Sequence, residues 1–548
     1  MARIKAFLFM LLAFNALTAL HAEEGVSIIP KPLHLSVNDG YFLLNKKTVL
    51  ISMDERSRKS ASFLSEYLME HYGLKIKPGA CSESNSIRLV ISDDSSKKEG
   101  AYSLKVTREG VVVEGYNEEG LFYGVQTLIQ LFPVELLKSL PKGAGKMVGK
   151  SLTIPCAIVE DEPRFCYRGM HLDVVRHIFP VDYIKKYLNY LALHKMNFFH
   201  LHLTDDQGWR MESRKHPELN LYGAYREATI IGIFPGTGVD STRYGGYYTI
   251  EQLKEIIAYA ADRYITIVPE IDVPGHAMAI LAAHPDFGTE PGRVVKPAIT
   301  WGIYNRENNV LAPRKQVFEF LDAVFNELID LFPGRYIHIG ADECAHKWWE
   351  ADSVTMRFIS DNKLGDVKGL QRYFTEYVSS IVLKRGRIPI GWDEIVDTGV
   401  PSGAAVMAWR NENNGYKAAA AGNKTILAPG KYSYLNYKQR PDEKRLSHRQ
   451  RTVMLKEVYG FEPLPDTLSQ SVKENVIGGQ GCMWTEYFPD DKAVDYALFP
   501  RMSAIAENYW SDGKLKDYDD FMSRLTVQFK RYGLWGAGSC SYLFENIK

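Results

Sequence analysis

Two carboxylates stand side by side at Asp342 and Glu343, just past a short apolar run at 336–340. Such groups move protons or bind hydroxyls. Similar residues follow other apolar runs: Asp173 with Arg176, Thr204-Asp205-Asp206-Gln207-Gly208-Trp209, and Glu270 with Asp272 and His276. Further along come Trp392-Asp393-Glu394, Trp409-Arg410, Tyr434-Leu435-Asn436 and Trp484-Thr485-Glu486. Carboxylates accept from hydroxyls, and flat indoles cover apolar ring faces. A single Asp at a strand end is often only a helix cap, and a single Trp is more often core. Recurrence on one rim describes instead a cleft for a neutral polyhydroxylated ligand.

The elements that must position these residues alternate regularly from Arg164 onward. Strands are predicted at 168–174, 197–203, 265–271, 336–340, 387–391, 405–408, 424–427 and 476–482. Helical periodicity is predicted at 181–194, 250–262, 316–331, 369–384 and 496–509. Strand alternating with helix predicts a parallel sheet. Eight strands over about 350 residues fit a closed (β/α)8 TIM barrel, whose active sites sit at the C-terminal strand ends. An open doubly wound sheet is the rival, but no Gly-rich phosphate fingerprint follows the first strand. The expected fold class is therefore α/β, a TIM barrel preceded by a small α+β domain. That small domain is placed at 23–160, with strand-like runs at 89–91, 102–106 and 111–114, helical patterns at 56–71 and 119–131, and a loop at 141–150. The barrel is placed at 161–512, and 513–548 is read as a helical extension packed on it. Residues i and i+1 of a regular strand face opposite ways. Asp342 and Glu343 can thus share a cleft only if their strand ends before them.

Composition bounds the partners. The chain has 548 residues, more than one ordinary core accommodates. Lys plus Arg and Asp plus Glu are equal at 66 each, which implies no basic face and argues against nucleic acid. Aromatic residues make up 12%, which suits large cores and sugar binding alike. Arg3 and Lys5 precede an apolar stretch at 6–20, and Ala19-Leu20-His21-Ala22 offers small residues where a signal peptidase reads. Residues 1–22 are expected to be a cleaved secretory leader, sending the protein to the periplasm or the exterior. The apolar run of about fifteen residues is short for a bilayer span, and no membrane span is expected in the mature chain. Six Cys lie far apart without a C-x-x-C, so no zinc site is suggested; export permits disulfides, and their pairing stays open. His200-Leu201-His202 places two imidazoles on one strand face, as a metal-dependent barrel hydrolase would. The pair precedes the strand end among apolar neighbours, which favours structural histidines and no metal.

Four motifs then carry a family resemblance: Arg168-Gly169-Met170-His171-Leu172-Asp173 with Arg176-His177; His202-Leu203-Thr204-Asp205-Asp206-Gln207-Gly208-Trp209-Arg210; Pro269-Glu270-Ile271-Asp272-Val273-Pro274-Gly275-His276; and His338-Ile339-Gly340-Ala341-Asp342-Glu343. Long and in order, they resemble the β-N-acetylhexosaminidases of glycoside hydrolase family 20. The resemblance implies an exo-acting, retaining glycosidase without a cofactor, acting on glycans with a terminal β-linked 2-acetamido sugar. In that family the substrate's own acetamido oxygen is the nucleophile and forms an oxazolinium intermediate. By the resemblance Glu343 is the general acid and then base, Asp342 orients the acetamido N–H, and Tyr434 holds its oxygen. Arg176 would bind the 3- and 4-hydroxyls and Glu486 the 4-hydroxyl. Trp392, Trp409 and Trp484 would wall the pocket. Asp205 and His276 would support the acid, with Asp272 steadying Asp342. A raised Glu343 pKa is expected, from burial and the Asp342 charge.

One departure stands out. Where the family commonly has Tyr-x-Asp, this chain has Tyr434-Leu435-Asn436, with Lys438 close in sequence. Losing a carboxylate there would let a 6-sulfated sugar enter. Three alternatives stay open at this level: disaccharide release of the lacto-N-biosidase kind, a metal-dependent barrel hydrolase, and a non-catalytic glycan-binding protein. The presence of both Asp342 and Glu343 argues against the last. A monomer or homodimer is expected.

Overall fold

A computed structural model describes residues 26–80, 84–134, 152–540 and 542. The expected leader at 1–22, Cys81 and the loop at 141–150 lie outside the described residues.

The first domain is a seven-stranded sheet. Its strands are β1 (His34–Leu44), β2 (Val49–Ser52), β3 (Lys77–Gly79), β4 (Ser86–Ile91), β5 (Tyr102–Val106), β6 (Gly110–Gly115) and β7 (Leu152–Asp161), in the order β1-β7-β5-β6-β4-β2-β3. Helices α1 (Arg58–Tyr72) and α2 (Glu118–Gln130) pack on it. Asn117 caps α2 by accepting from the Gly120 N–H at 2.7 Å. Sequence periodicity finds β4, β5, β6 and both helices but misses β1, β2 and β3, and also β7. Pro155 interrupts that run, and proline is normally barred from a paired strand interior. The structure tolerates it because pairing of β7 with β5 covers only Ala157 to Asp161, while β1 shifts register between Val37 and Tyr41 beside it.

Eight parallel strands then close a barrel. They are β8 (Tyr167–Asp173), β9 (Phe198–His202), β10 (Thr266–Glu270), β11 (Tyr336–His338), β12 (Ile388–Trp392), β13 (Ala405–Ala408), β14 (Thr425–Leu427) and β15 (Val476–Met483). β15 pairs with β8 from Gly478–Tyr167 to Met483–Leu172, which seals the ring. The outer helices include α3 (Val181–Leu193), α4 (Ile250–Ala261), α5 (Lys315–Leu331) and α6 (Val367–Lys384). Each buries its apolar stripe, such as Val317, Phe320, Leu321, Val324 and Leu328 on α5. The predicted helix at 496–509 is corrected to two, α7 (Asp491–Leu498) and α8 (Arg501–Trp510). Pro500 lies at the break because it has no N–H for the helical ladder.

The domains are joined through buried polar groups. Asp161 accepts from the Tyr102 hydroxyl at 2.7 Å, Lys195 Nζ at 2.9 Å and Trp510 Nε1 at 2.9 Å. Breaking one partner of such a buried pair strands the other charge, so the junction is costly to disturb. Helix α9 (Tyr518–Leu534) spans both domains. Its Arg524 pairs with Glu507 of α8 at 2.7 Å, and its Arg531 donates to the Ser27 and Gln130 carbonyls.

Candidate active site

The strand ends turn sharply, and each turn aims side chains into one mouth. Asp173 closes β8 and folds the chain back by accepting from the Val175 and Arg176 N–H groups at 2.8 and 3.1 Å. Its other oxygen meets Arg176 at 3.2 Å and the Thr485 N–H at 3.0 Å, tying β8 to the segment after β15. Arg176 also reaches Asp205 at 2.6 Å and Gln207 at 2.8 Å, and its guanidinium lies 5.2 Å from the Trp484 ring centre. Asp205 is held on a short antiparallel ribbon, Thr204–Asp205 against Gly208–Trp209.

β11 ends at His338, two residues earlier than predicted, and this brings Asp342 and Glu343 together. Gly340, Ala341 and Glu343 have φ of 67°, 76° and 40°, so the chain coils instead of extending. Side-chain-bearing residues adopt such angles at a cost, and that cost clusters at functional sites. Gly340 also has no room for a side chain, because a Cβ would lie 1.7 Å from Asp272 Oδ1. That same Oδ1 accepts from the Ala341 N–H at 3.1 Å.

His276 lies between the pair and the barrel wall. Its Nε2 is 3.8 Å from Asp342 and 3.6 Å from Glu343, while its Nδ1 is 3.0 Å from Asp205 and 3.1 Å from Asp206. Burial opposes a charge on His276, but these carboxylates overcome it and hold the ring protonated well above the usual histidine range. The expectation for Glu343 is corrected accordingly. Burial alone would raise its carboxyl, yet the protonated His276 beside it outweighs burial, and the net shift is downward. Asp342 is the group that rises, to about 6, first through burial and then through Glu343 and Glu270 despite His276. Asp272, buried and facing Asp342, is pushed well above the usual carboxylate range, by burial first and then by the Asp342 charge. At neutral pH the free site therefore holds ionised Asp342 and Glu343 around an imidazolium.

The aromatic residues form one wall. Trp409 stacks on Tyr434 at 6.1 Å and 15°, Tyr434 lies 6.2 Å from Trp484, and Trp484 lies 6.0 Å from Trp392. Trp392 donates to Glu270 at 2.8 Å and Trp409 to Glu394 at 3.0 Å. Tyr434 is fixed by its bridge to Cys482 on β15. Three buried oxygens here lack a protein partner: Asp342 Oδ1, Asn436 Oδ1 and Glu486 Oε2. Buried polar atoms are normally satisfied, so the orphaned Asp342 and Glu486 oxygens leave acceptors for hydroxyls and amides. Burial pushes the Glu486 carboxyl up to about 7 against the pull of Arg176.

Contacts and the cavity lining bring together Glu343, Asp342, His276, Asp205, Asp272, Arg176, Glu486, Tyr434 and the three Trp, while Asn436 is buried with its Oδ1 unpartnered. Sequence reasoning missed others that share a cavity of about 290 Å³ with Arg176, His276, Glu343 and Glu486. Trp301, Tyr304, Arg306, His448 and Arg449 line it from long loops. The dense run Trp301-Gly302-Ile303-Tyr304 was the one legible signal. Glu394, on the Trp392-Asp393-Glu394 rim, is also raised well above the usual range by burial and Asp342.

His202 is a poor metal ligand here because both of its nitrogens are engaged, whereas His171, His200 and Glu270 bring one ligand atom each within 4.8 Å of one another. His202 meets Glu270 through Nδ1 at 2.5 Å and Asp205 through Nε2 at 3.0 Å. His200 meets Glu270 at 3.1 Å and receives the Gln480 amide at 3.0 Å. The five described cysteines are unpaired, and burial raises the Cys344 and Cys482 thiols, which disfavours the thiolate a nucleophile needs.

Comparison with known proteins fits this arrangement. A profile described as "Glycosyl hydrolase family 20, catalytic domain" matches residues 165–513, and one described as "Glycosyl hydrolase family 20, domain 2" matches 25–162. A beta-hexosaminidase of Porphyromonas gingivalis is 38% identical over 517 residues, covering 94% of this chain; the chain spans 64% of that relative's length. A beta-N-acetylhexosaminidase of Cellulomonas fimi is 32% identical, covering 91% of this chain and 93% of the relative. The crystal structure of an exo beta-N-acetylglucosaminidase from Vibrio harveyi, in complex with N-acetylglucosamine, is similar at a TM-score of 0.82 and 30% identity, covering 94% of this chain and 78% of that one. With its two matched domains and its barrel, the chain belongs to glycosyl hydrolase family 20.

Proposed function

We propose that the protein is an exo-acting, retaining β-N-acetylhexosaminidase that removes terminal β-linked GlcNAc or GalNAc from glycans. The observation that carries this reading is the site's division of labour. Glu343 faces the open cavity, while Asp342 is buried beside the aromatic wall with a free acceptor oxygen. One carboxylate is placed for a leaving group and the other for an amide.

The terminal sugar enters over Trp484, its 3- and 4-hydroxyls meeting Arg176 and Glu486. Its acetamido group lies between Trp392, Trp409 and Trp484, with the N–H donating to Asp342 and the oxygen receiving the Tyr434 hydroxyl. That oxygen attacks the anomeric carbon as the glycosidic bond breaks. The Glu343 proton goes to the departing oxygen, and an oxazolinium forms. Water then adds to the anomeric carbon, giving its proton to Glu343, and the configuration is retained. Tethering the nucleophile to the substrate supplies the proximity advantage. Ionised Asp342 stabilises positive charge growing on the acetamide. Asp205 and Asp206 keep His276 charged, and Asp272 fixes the turn carrying Asp342. Glu343 gains its proton as the aglycone displaces water from its exposed side, since desolvation favours the neutral acid.

Arg176, Glu343 and Glu486 share one cavity, which supports action on a terminal sugar. Tolerance of a 6-sulfated sugar is part of this proposal, supported by uncharged Asn436 and by Arg449 on the cavity wall. No turnover of nitrophenyl 6-sulfo-GlcNAc would remove that part alone. Export through the 1–22 leader is likewise proposed, and sequencing the mature N-terminus tests it, with Glu23 expected first. Among the described residues no helix is long and apolar enough to cross a membrane. A monomer or homodimer is proposed, tested by sedimentation.

Hydrolysis of nitrophenyl β-GlcNAc by wild type and Glu343→Gln tests the core reading. Activity that survives unchanged in Glu343→Gln overturns it. Tight competitive inhibition by a thiazoline mimic of the oxazolinium is expected as well.

A further inference from the structure

Glu270 closes β10 with its side chain fully buried, and it has no role in the chemistry above. Two donors hold its two oxygens, His202 Nδ1 at 2.5 Å and Trp392 Nε1 at 2.8 Å, while His200 Nε2 lies at 3.1 Å and His338 Nδ1, which accepts from the Gly340 N–H, at 3.0 Å. Both donors lead on into the site. Trp392 walls the pocket proposed for the acetamide. His202 presents its other nitrogen to Asp205 Oδ2 at 3.0 Å, Asp205 Oδ1 meets His276 Nδ1 at 3.0 Å, and His276 Nε2 faces Glu343 at 3.6 Å. Carboxylates and imidazoles thus alternate from Glu270 through His202, Asp205 and His276 to Glu343. A ring with a carboxylate at each nitrogen is satisfied only as the doubly protonated cation. Burial opposes that cation, but Glu270 and Asp205 hold His202 charged, with its pKa raised to about 10.

We propose that Glu270 is a positioning residue for the reaction, fixing His276 against Glu343 through His202 and Asp205 while fixing the acetamide wall through Trp392. The proposal rests on the functional reading above. The geometry favours it over a network that only fills the core, because one carboxylate ties together the two parts of the site that meet the substrate. Neighbouring charges are accounted for. His202 is faced by Glu270, Asp205 and Asp173, and by the neutral His171 and His200. Asp342 is faced by Asp272, His276, Glu343, Glu394 and Glu270.

The test is Glu270→Gln, which keeps the volume and removes the charge. Misplacement at this range is expected to lower kcat on nitrophenyl β-GlcNAc by about ten- to hundredfold, with KM changed by less than about threefold. Glu270 is among the charges that raise Asp342, so the acid limb of kcat/KM should move to lower pH. That shift follows from the charge alone, so the positioning role is read by the loss of kcat with KM kept. A kcat within about twofold of wild type and an unmoved limb overturn the proposal. Should Glu270→Gln fold poorly, nitrogen-15 NMR of the unaltered enzyme decides. His202 is expected to carry protons on both ring nitrogens at pH 8, and a neutral His202 at pH 7 overturns the proposal. A wild type inactive on the substrate would instead refute the functional reading, and the NMR result would stand separately.

Discussion

Replacing Asp342 by Asn should stabilise the fold while removing most of the activity. Asp342 is buried beside Asp272 and Glu343, with its pKa raised from 3.8 to about 6. That rise means the folded protein favours the neutral acid, so ionised Asp342 opposes folding. At 1.4 kcal/mol per tenfold, the cost above pH 7 is about 3 kcal/mol. The sign follows directly. The folded pKa lies above the unfolded one, so wild type loses stability as pH rises from about 4 through about 6. The Asp342→Asn side chain has nothing to titrate and keeps the shape. Thermal unfolding followed from pH 4 to 8 should show the two proteins together at pH 4 and the variant higher by a few degrees at pH 7.5. At the same time kcat on nitrophenyl β-GlcNAc should fall by about 10²–10³-fold, the usual scale for a lost transition-state partner. A gap in Tm that does not change with pH, or a variant less stable than wild type at pH 7.5, refutes the electrostatic reasoning.

Gly340→Ala should lower both stability and activity, because a methyl meets Asp272 Oδ1 at 1.7 Å in a left-handed turn; a Tm within about 1 °C of wild type contradicts this. Arg176→Met should raise KM and destabilise, since it leaves Asp173 and Asp205 short of a buried cation; removing the substrate 4-hydroxyl should cost wild type more than the variant. The acid limb of kcat/KM should have a midpoint near 6, set by protonation of Asp342; a pH profile flat from 5 to 7 contradicts that assignment. Tyr434→Phe should lower kcat by about tenfold or more, with the pocket shape kept, as read by steady-state kinetics.

Much of the fold was legible because each barrel strand is a short apolar run ended by polar residues, and its helix carries a clear stripe, as in Lys315–Leu331. Local pattern failed where tertiary pairing decided the outcome. Pro155 hid β7, since only the sheet shows that it lies beyond the ladder with β5. The apolar pattern also ran through Phe499–Pro500, where the helix breaks. The candidate site was legible as a set of strand ends, down to the coil that lets Asp342 and Glu343 face one cleft. Its electrostatics were not. The Glu343 pKa depends on His276, whose proton depends on Asp205 and Asp206, about seventy residues away in sequence. Trp301, Tyr304 and Arg449 sit on long loops, where no periodicity says which way a side chain points.

The central claim is that the nucleophile belongs to the substrate. Kinetics on nitrophenyl β-glucosaminides bearing acetamido, fluoroacetamido, difluoroacetamido and trifluoroacetamido groups test it most directly. Each fluorine weakens the carbonyl oxygen as a nucleophile without changing the leaving group. The account predicts that kcat/KM falls steeply and progressively across the series. A rate unchanged from acetamido to trifluoroacetamido would mean that the protein supplies the nucleophile, and would contradict the roles given to Asp342 and Glu343.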